Sequence, residues 1–166
     1  MTREGTFERW MRCYEHDVLR TCLLLLSDRG LAEDALQDAF LKVWRSMDRY
    51  EGRNDSSVRT WILAIAINTC RDRRRAAWFR RRKTEQPLDG LEFPDSAIPQ
   101  EARETLIDVM KLPEGLREAV ILHHYHGLTK TETAAAMRIG RATLDRRLQK
   151  AYAALGYREE VHTDEE

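Results

Sequence analysis

The sequence predicts an all-α protein made of two small helical domains joined by a flexible acidic linker. Three observations predict it. Apolar residues recur at three- and four-residue steps over most of the chain, and no segment shows the period-two alternation of a strand. Three of the four prolines, Pro87, Pro94 and Pro99, gather in one acid-rich stretch where that periodicity stops. The expected organisation is a first domain over 1–83, a linker over 84–100, a second domain over 101–157 and an acidic tail over 158–166.

From Thr6 to Ser27 the residues Phe7, Trp10, Met11, Tyr14, Val18, Cys22 and Leu25 repeat at helical spacing, which predicts an amphipathic helix. A second begins after Gly30. Leu31, Ala35, Leu36, Ala39, Phe40, Val43, Trp44 and Met47 form its broad apolar face, and Asp34, Gln37, Asp38, Leu41 and Arg45 lie on the other. The stretch Tyr50 to Ser57, YEGRNDSS, has the composition of an irregular loop and ends in good N-cap residues. A third helix starts at Val58. Val58, Trp61, Ile62, Ile65 and Thr69 are expected to pack, while Thr60, Ala64, Asn68, Arg71 and Arg75 fall on a second stripe that can touch a ligand. Trp44 and Trp61 are read as core residues.

Beyond the linker, Glu101 to Lys111 and Glu114 to His126 read as two helices separated by Leu112 and Pro113, the proline suiting a first helical turn. The segment from Gly127 to Tyr152, GLTKTETAAAMRIGRATLDRRLQKAY, then has the punctuation of a helix-turn-helix. Thr129 and Glu132 form a capping box. Ala134, Ala135 and Met137 give the first helix a slim apolar side, and Gly140 is expected to supply positive φ in the turn. The second helix repeats Leu144, Leu148 and Ala151, with Arg141, Arg146, Arg147 and Lys150 on its remaining surface. A basic helix after such a turn is the shape of a major-groove reader.

Net charge is zero, yet it is unevenly spread. Arg71 to Lys83 holds eight basic residues against one acid, with Trp78 and Phe79 among them, whereas Thr84 to Val109 holds seven acids against one arginine. Surfaces of opposite sign suggest separate partners, and cations interleaved with aromatics suit phosphate contact with base stacking. Cys13, Cys22 and Cys70 show no CxxC spacing, so no disulfide framework or zinc knuckle is expected, and they are read as reduced core thiols. No apolar run, Cys22 to Leu26 included, is long enough to span a membrane, so no membrane insertion and a cytoplasmic location are expected.

His123, His124 and His126 surround Tyr125 without a carboxylate or thiol at i+4, so surface or core roles are preferred to a metal site. No phosphate loop, nucleophile elbow or acid/base carboxylate pair is present. Neither catalysis nor a cofactor is expected.

Two blocks, AEDALQDAFLKVWRSMDRYEG (Ala32 to Gly52) with SSVRTWILAIAINTCRDRRR (Ser56 to Arg75), resemble domain two of bacterial RNA polymerase sigma factors of the extracytoplasmic function group. LPEGLREAVILHHYHGLTKTETAAAMRIGRATLDRRLQKAYAAL (Leu112 to Leu155) resembles domain four, in the right order and at the right spacing. The resemblance implies that Asp34, Gln37, Asp38, Leu41 and Arg45 dock on the clamp helices of the polymerase's largest subunit, with the flap engaging domain four. It implies that the loop residues Asn54, Asp55 and Ser56, with Thr60, Ala64, Asn68, Arg71 and Arg75, meet the promoter −10 element, where family members capture a flipped base. Arg141, Thr143, Arg146, Arg147 and Lys150 would read the −35 element. An anti-sigma factor is the further partner that the resemblance implies. The chain departs from the family's usual pattern in a longer loop at Gly52 to Ser57, in Arg138 and Gly140 within the turn, and in Asp145 at a commonly basic position.

Two other readings stand beside this one. A transcription regulator would bind duplex DNA through the second domain without polymerase. A metal-dependent enzyme would use the histidine cluster.

Overall fold

In the computed structural model the described residues are 2–50, 57–80 and 100–156, and the chain divides into two units, 1–96 and 97–166. The residues of the predicted linker before Gln100, the tail 158–166 and the loop residues Asn54, Asp55 and Ser56 lie outside the described ones. Among the described residues every regular element is helical.

The first unit packs three helices, α1 (Arg3–Leu26), α2 (Arg29–Ser46) and α3 (Val58–Arg80), each against the other two. The Thr2 hydroxyl accepts from the Gly5 N–H at 3.0 Å to open α1. Ser27 closes it in the left-handed region at φ 54°, donating its N–H to the Leu23 carbonyl. Asp28 at once caps α2 by accepting from the Leu31 N–H at 3.0 Å, so two residues reverse the chain. On α2 the alanines 32, 35 and 39 are fully buried, and their small side chains let neighbouring helices approach closely. Val18, Cys22 and Leu24 of α1, Val43 of α2, and Ile62, Leu63, Ala66 and Ile67 of α3 fill the seam.

The packing face of α3 differs from the expected stripe. Trp61 and Ile65 are half-buried, Leu63, Ala66, Ile67 and Cys70 are buried, and so is Thr60, a member of the stripe expected to touch a ligand. Contact with both α1 and α2 demands an apolar face wider than one row, and that width takes in Thr60. Trp44, like Trp61, is half-buried, its ring beneath the Arg3 guanidinium at 3.9 Å. Cys22 and Cys70 are buried as expected, but Cys13 is exposed. It sits in the half of α1 that precedes the deeply buried turns from Val18 onward.

The second unit holds α4 (Gln100–Met110), α5 (Glu114–Val120), α6 (Lys130–Met137) and α7 (Arg141–Leu155). The buried Arg117 donates from Nε and Nη2 to the Leu112 carbonyl at 3.1 and 2.9 Å, pinning the link between α4 and α5. The helix expected to run to His126 does not stay α-helical. Beyond Val120 it widens into a π-helical turn, Ile121–Tyr125, with the His126 N–H reaching back to the Ile121 carbonyl at 2.9 Å.

Candidate nucleic-acid interface

The turn between α6 and α7 begins with the capping box read from sequence. Thr129 Oγ1 accepts from the Glu132 N–H at 3.0 Å, and the Thr129 N–H donates to Glu132 Oε1 at 3.1 Å. The buried side of α6 is Thr133, Ala134, Ala136 and Met137, while Ala135 is exposed. The residue with positive φ is Arg138, at 58°, and Gly140 is instead extended at φ −74° and caps α7. The N–H groups of Arg138 and Ile139 close α6 on the Ala135 and Ala134 carbonyls at 3.2 and 3.1 Å, a Schellman-type ending. This ending needs its left-handed residue directly after Met137, two positions before the glycine.

Leu144, Leu148 and Ala151 anchor α7 in the core, so its opposite face carries Ala142, Arg146, Gln149 and Lys150, all exposed. One flank turns toward α5. There Thr143, Arg146, Arg147 and Lys150 share a groove of about 330 Å³ with Pro113, Gly115 and Leu116. The Arg147 guanidinium lies so close over Gly115 that a Cβ there would stand 3.0 Å from Nη1. Glycine at 115 thus makes room for the arginine. On the other flank Arg141 donates to Thr131 Oγ1 at 3.2 Å, and Asp145 pairs with Lys130 at 3.5 Å. Arg146 donates to Thr143 Oγ1 at 3.2 Å. Of the five expected α7 residues Arg141, Arg146 and Lys150 are exposed, Thr143 and Arg147 are half-buried along the groove, and all five lie on one helix.

On α3 the expected −10 residues separate. Ala64, Asn68 and Arg71 are half-buried and Arg75 is exposed, so a row at three- and four-residue spacing survives. Thr60 leaves it: its N–H donates to Ser57 Oγ at 3.1 Å and its hydroxyl lies 3.1 Å from the same oxygen, making it part of the start of α3. Asn68 Nδ2 donates to the Ala64 carbonyl at 3.0 Å, which orients the amide along the helix. The Tyr50 and Trp61 rings lie 5.1 Å apart at a tilt of 40°, and Trp10 meets them edge-on at 5.8 and 6.0 Å.

On α2 Asp34, Gln37 and Arg45 are exposed, Asp38 is half-buried, and Leu41 among them is 50% exposed. Sequence reasoning missed how α3 shapes this face. Arg73 donates from Nε to Asp38 Oδ2 at 2.6 Å and reaches Asp34 at 3.6 Å, and Lys42 pairs with Asp72 at 3.3 Å. Four arginines occupy positions 71 to 75, and only the helix rotation tells which of them turns to α2. Ala142 and Gln149 were likewise missed on α7, although their spacing from Leu144 and Leu148 could have placed them outward.

The histidines do not converge. His123 Nδ1 donates to the Leu128 carbonyl at 2.7 Å, His124 bonds the Tyr152 hydroxyl, and His126 is buried. Among the described residues no group of three or more His, Cys, Asp or Glu is placed to hold a metal ion, and no helix is long and apolar enough to cross a membrane.

Residues 10–80 match the family Sigma-70 region 2, and residues 109–155 match Sigma-70, region 4. The chain is 33% identical over 160 residues to the RNA polymerase sigma-E factor of Streptomyces coelicolor, covering 93% of this chain and 85% of the relative. It is 31% identical over 165 residues to the sigma-E factor of Streptomyces avermitilis, covering 95% and 86%. It is 28% identical over 150 residues to the ECF RNA polymerase sigma factor SigX of Bacillus subtilis, covering 81% and 74%. Among solved structures its fold is similar to the sigma factor RpoE of Bartonella quintana, solved in complex with the anti-sigma factor NepR. That match has a TM-score of 0.77 at 21% identity, over 90% of this chain and 94% of the other. It is also similar to CnrH in complex with the cytosolic domain of CnrY, with a TM-score of 0.65 at 22% identity, over 92% and 86%.

Proposed function

The chain belongs to the sigma-70 family, as an RNA polymerase sigma factor of the extracytoplasmic function group, and from that premise we propose how its surfaces divide the work of starting transcription. It is an alternative sigma factor that binds core RNA polymerase, recognises promoters and initiates transcription, and it is not an enzyme. The polymerase supplies the chemistry.

In this proposal α7 reads the −35 element through Arg141, Thr143, Arg146, Arg147 and Lys150. The observation that carries it is the outward cationic face of α7, set opposite a buried Leu144, Leu148 and Ala151 stripe directly after a capped turn. Arg146 and Lys150 are free of acidic neighbours at salt-bridge distance among the described residues, which leaves their charge to phosphate or base edges. The −10 element meets Ala64, Asn68, Arg71 and Arg75 on α3 together with Asn54, Asp55 and Ser56 of the loop. Thr60 serves this site from beneath, through the Ser57 cap, rather than by touching DNA.

Asp34, Gln37, Asp38, Leu41 and Arg45 dock on the clamp helices of the largest polymerase subunit. Support comes from an exposed leucine ringed by polar side chains, the arrangement of an apolar anchor with a polar rim. The domain over 101–157 engages the polymerase flap, and the acidic linker over 84–100 runs toward the active-site channel. The protein works in the cytoplasm, where an anti-sigma factor covers the α2 and α7 faces until it is released. The Bartonella quintana relative was solved bound to such a factor.

A gel-shift with and without core polymerase tests the proposal. The expected result is promoter-specific retention only when core polymerase is present. Tight, specific binding by the chain alone would favour the regulator reading instead.

A further inference from the structure

The outward flank of α7 that faces α6 carries an acid where the rest of the exposed polar surface is cationic or neutral. Asp145 lies one turn after Arg141, and its side chain is 45% exposed. Its Oδ1 is buried and makes no hydrogen bond, standing 3.5 Å from Lys130 Nζ and 4.0 Å from Arg141 Nε. The exposure therefore belongs to the rest of the side chain, Oδ2 included among the atoms left. Two cations, one from the first turn of α6 and one from the first turn of α7, hold one oxygen inward while the side chain as a whole stays 45% exposed.

An acid near a phosphate backbone is repelled unless cations offset it, and Lys130 and Arg141 do so here. What is left is an acceptor without a donor of its own. In the major groove cytosine presents its N4 amino group, and adenine presents N6 beside the acceptor N7. Guanine presents only O6 and N7, and thymine presents O4 and a methyl group. A carboxylate at the N-terminal half of a recognition helix, the part that reaches base edges, favours the first and penalises the last two.

We propose that Asp145 is a specificity-determining residue of the −35 contact, accepting a hydrogen bond from a cytosine N4 amino group and excluding guanine and thymine at that position. The proposal rests on the reading of α7 as the −35 helix. Lys130 acts as its positioning residue, fixing the carboxylate while Arg141 shares the charge.

The test uses the chain bound to bacterial core polymerase and a promoter recovered by the wild-type holoenzyme, with its −35 bases randomised one at a time. The expected result is a preference of about tenfold for cytosine over guanine at one position, the size of a single good base contact. Asp145→Ala reduces that preference below about twofold and leaves the other −35 positions and the −10 selection as they were. Asp145→Asn moves the preference toward adenine, because an amide both donates and accepts. An unchanged cytosine preference in Asp145→Ala overturns the role of Asp145 while leaving −35 reading intact. A uniform rise in affinity for all four bases overturns it too, since the carboxylate would then be only a repulsive charge. If the wild-type holoenzyme selects no base at −35, the reading of α7 fails together with this proposal.

Discussion

Leu41 offers the sharpest test of the polymerase-docking face. Among the described residues it is the one large hydrophobic side chain that is exposed, at 50%. Burying a whole leucine side chain is worth about 1.5–3 kcal/mol, so the half still open to solvent is worth about 1 kcal/mol when a partner covers it. Leu41→Ala should therefore weaken binding to core polymerase about fivefold. Leu41→Asp adds the desolvation of a carboxylate at the centre of the patch, a few kcal/mol more, and should weaken binding at least about a hundredfold. Neither change should move the folding stability by more than about 0.5 kcal/mol, because the side chain is on the surface. Fluorescence anisotropy of the labelled chain titrated with core polymerase measures the first effect, and urea unfolding of the same variants measures the second. Wild-type affinity in Leu41→Asp would refute the assignment of this face.

Thr129→Ala removes the hydroxyl from the capping box and should cost about 1 kcal/mol in the second unit. Calorimetry should show its unfolding about 4–8 °C lower, and an unmoved transition would mean that the cap contributes nothing. Arg138→Gly relieves a left-handed backbone at φ 58° and should raise stability by about 0.5 kcal/mol after the extra freedom of the unfolded glycine is offset. A lower urea midpoint would contradict that balance. Asn68→Ala should impair promoter opening more than closed-complex formation, and permanganate reactivity equal to wild type at the −10 element would reject the role given to this amide.

The helices were legible because their periodicity is the packing itself. The Thr129 to Glu132 box and the Leu144, Leu148, Ala151 stripe located the helix-turn-helix and its outward face from spacing alone. What was not legible depended on rotation and on how many neighbours a helix serves. α3 packs on two partners, so its buried face widened and took Thr60 from the ligand stripe to the core. Gly140 looked like the residue for a left-handed turn, yet the Schellman-type ending fell immediately after Met137, where only Arg138 stands. A side-chain preference for positive φ is worth about 1–2 kcal/mol, and the placement of Ile139 and the start of α7 outweighed it. Nor did the sequence distinguish Arg73 from its neighbours, since a run of arginines has no internal mark for the one that meets Asp34 and Asp38. The π-helical turn at Ile121 to Tyr125 had no sequence signal at all, because it adds no residue type and only re-aims the histidines.

The central activity of the chain is promoter-directed transcription as part of the holoenzyme. Run-off transcription with bacterial core polymerase over a fragmented genomic library measures it directly. The prediction is a set of discrete start sites, sharing two upstream elements, that appears only when the chain is added and vanishes with Leu41→Asp. Identical transcripts with and without the chain, or no association of the chain with core polymerase, would contradict it.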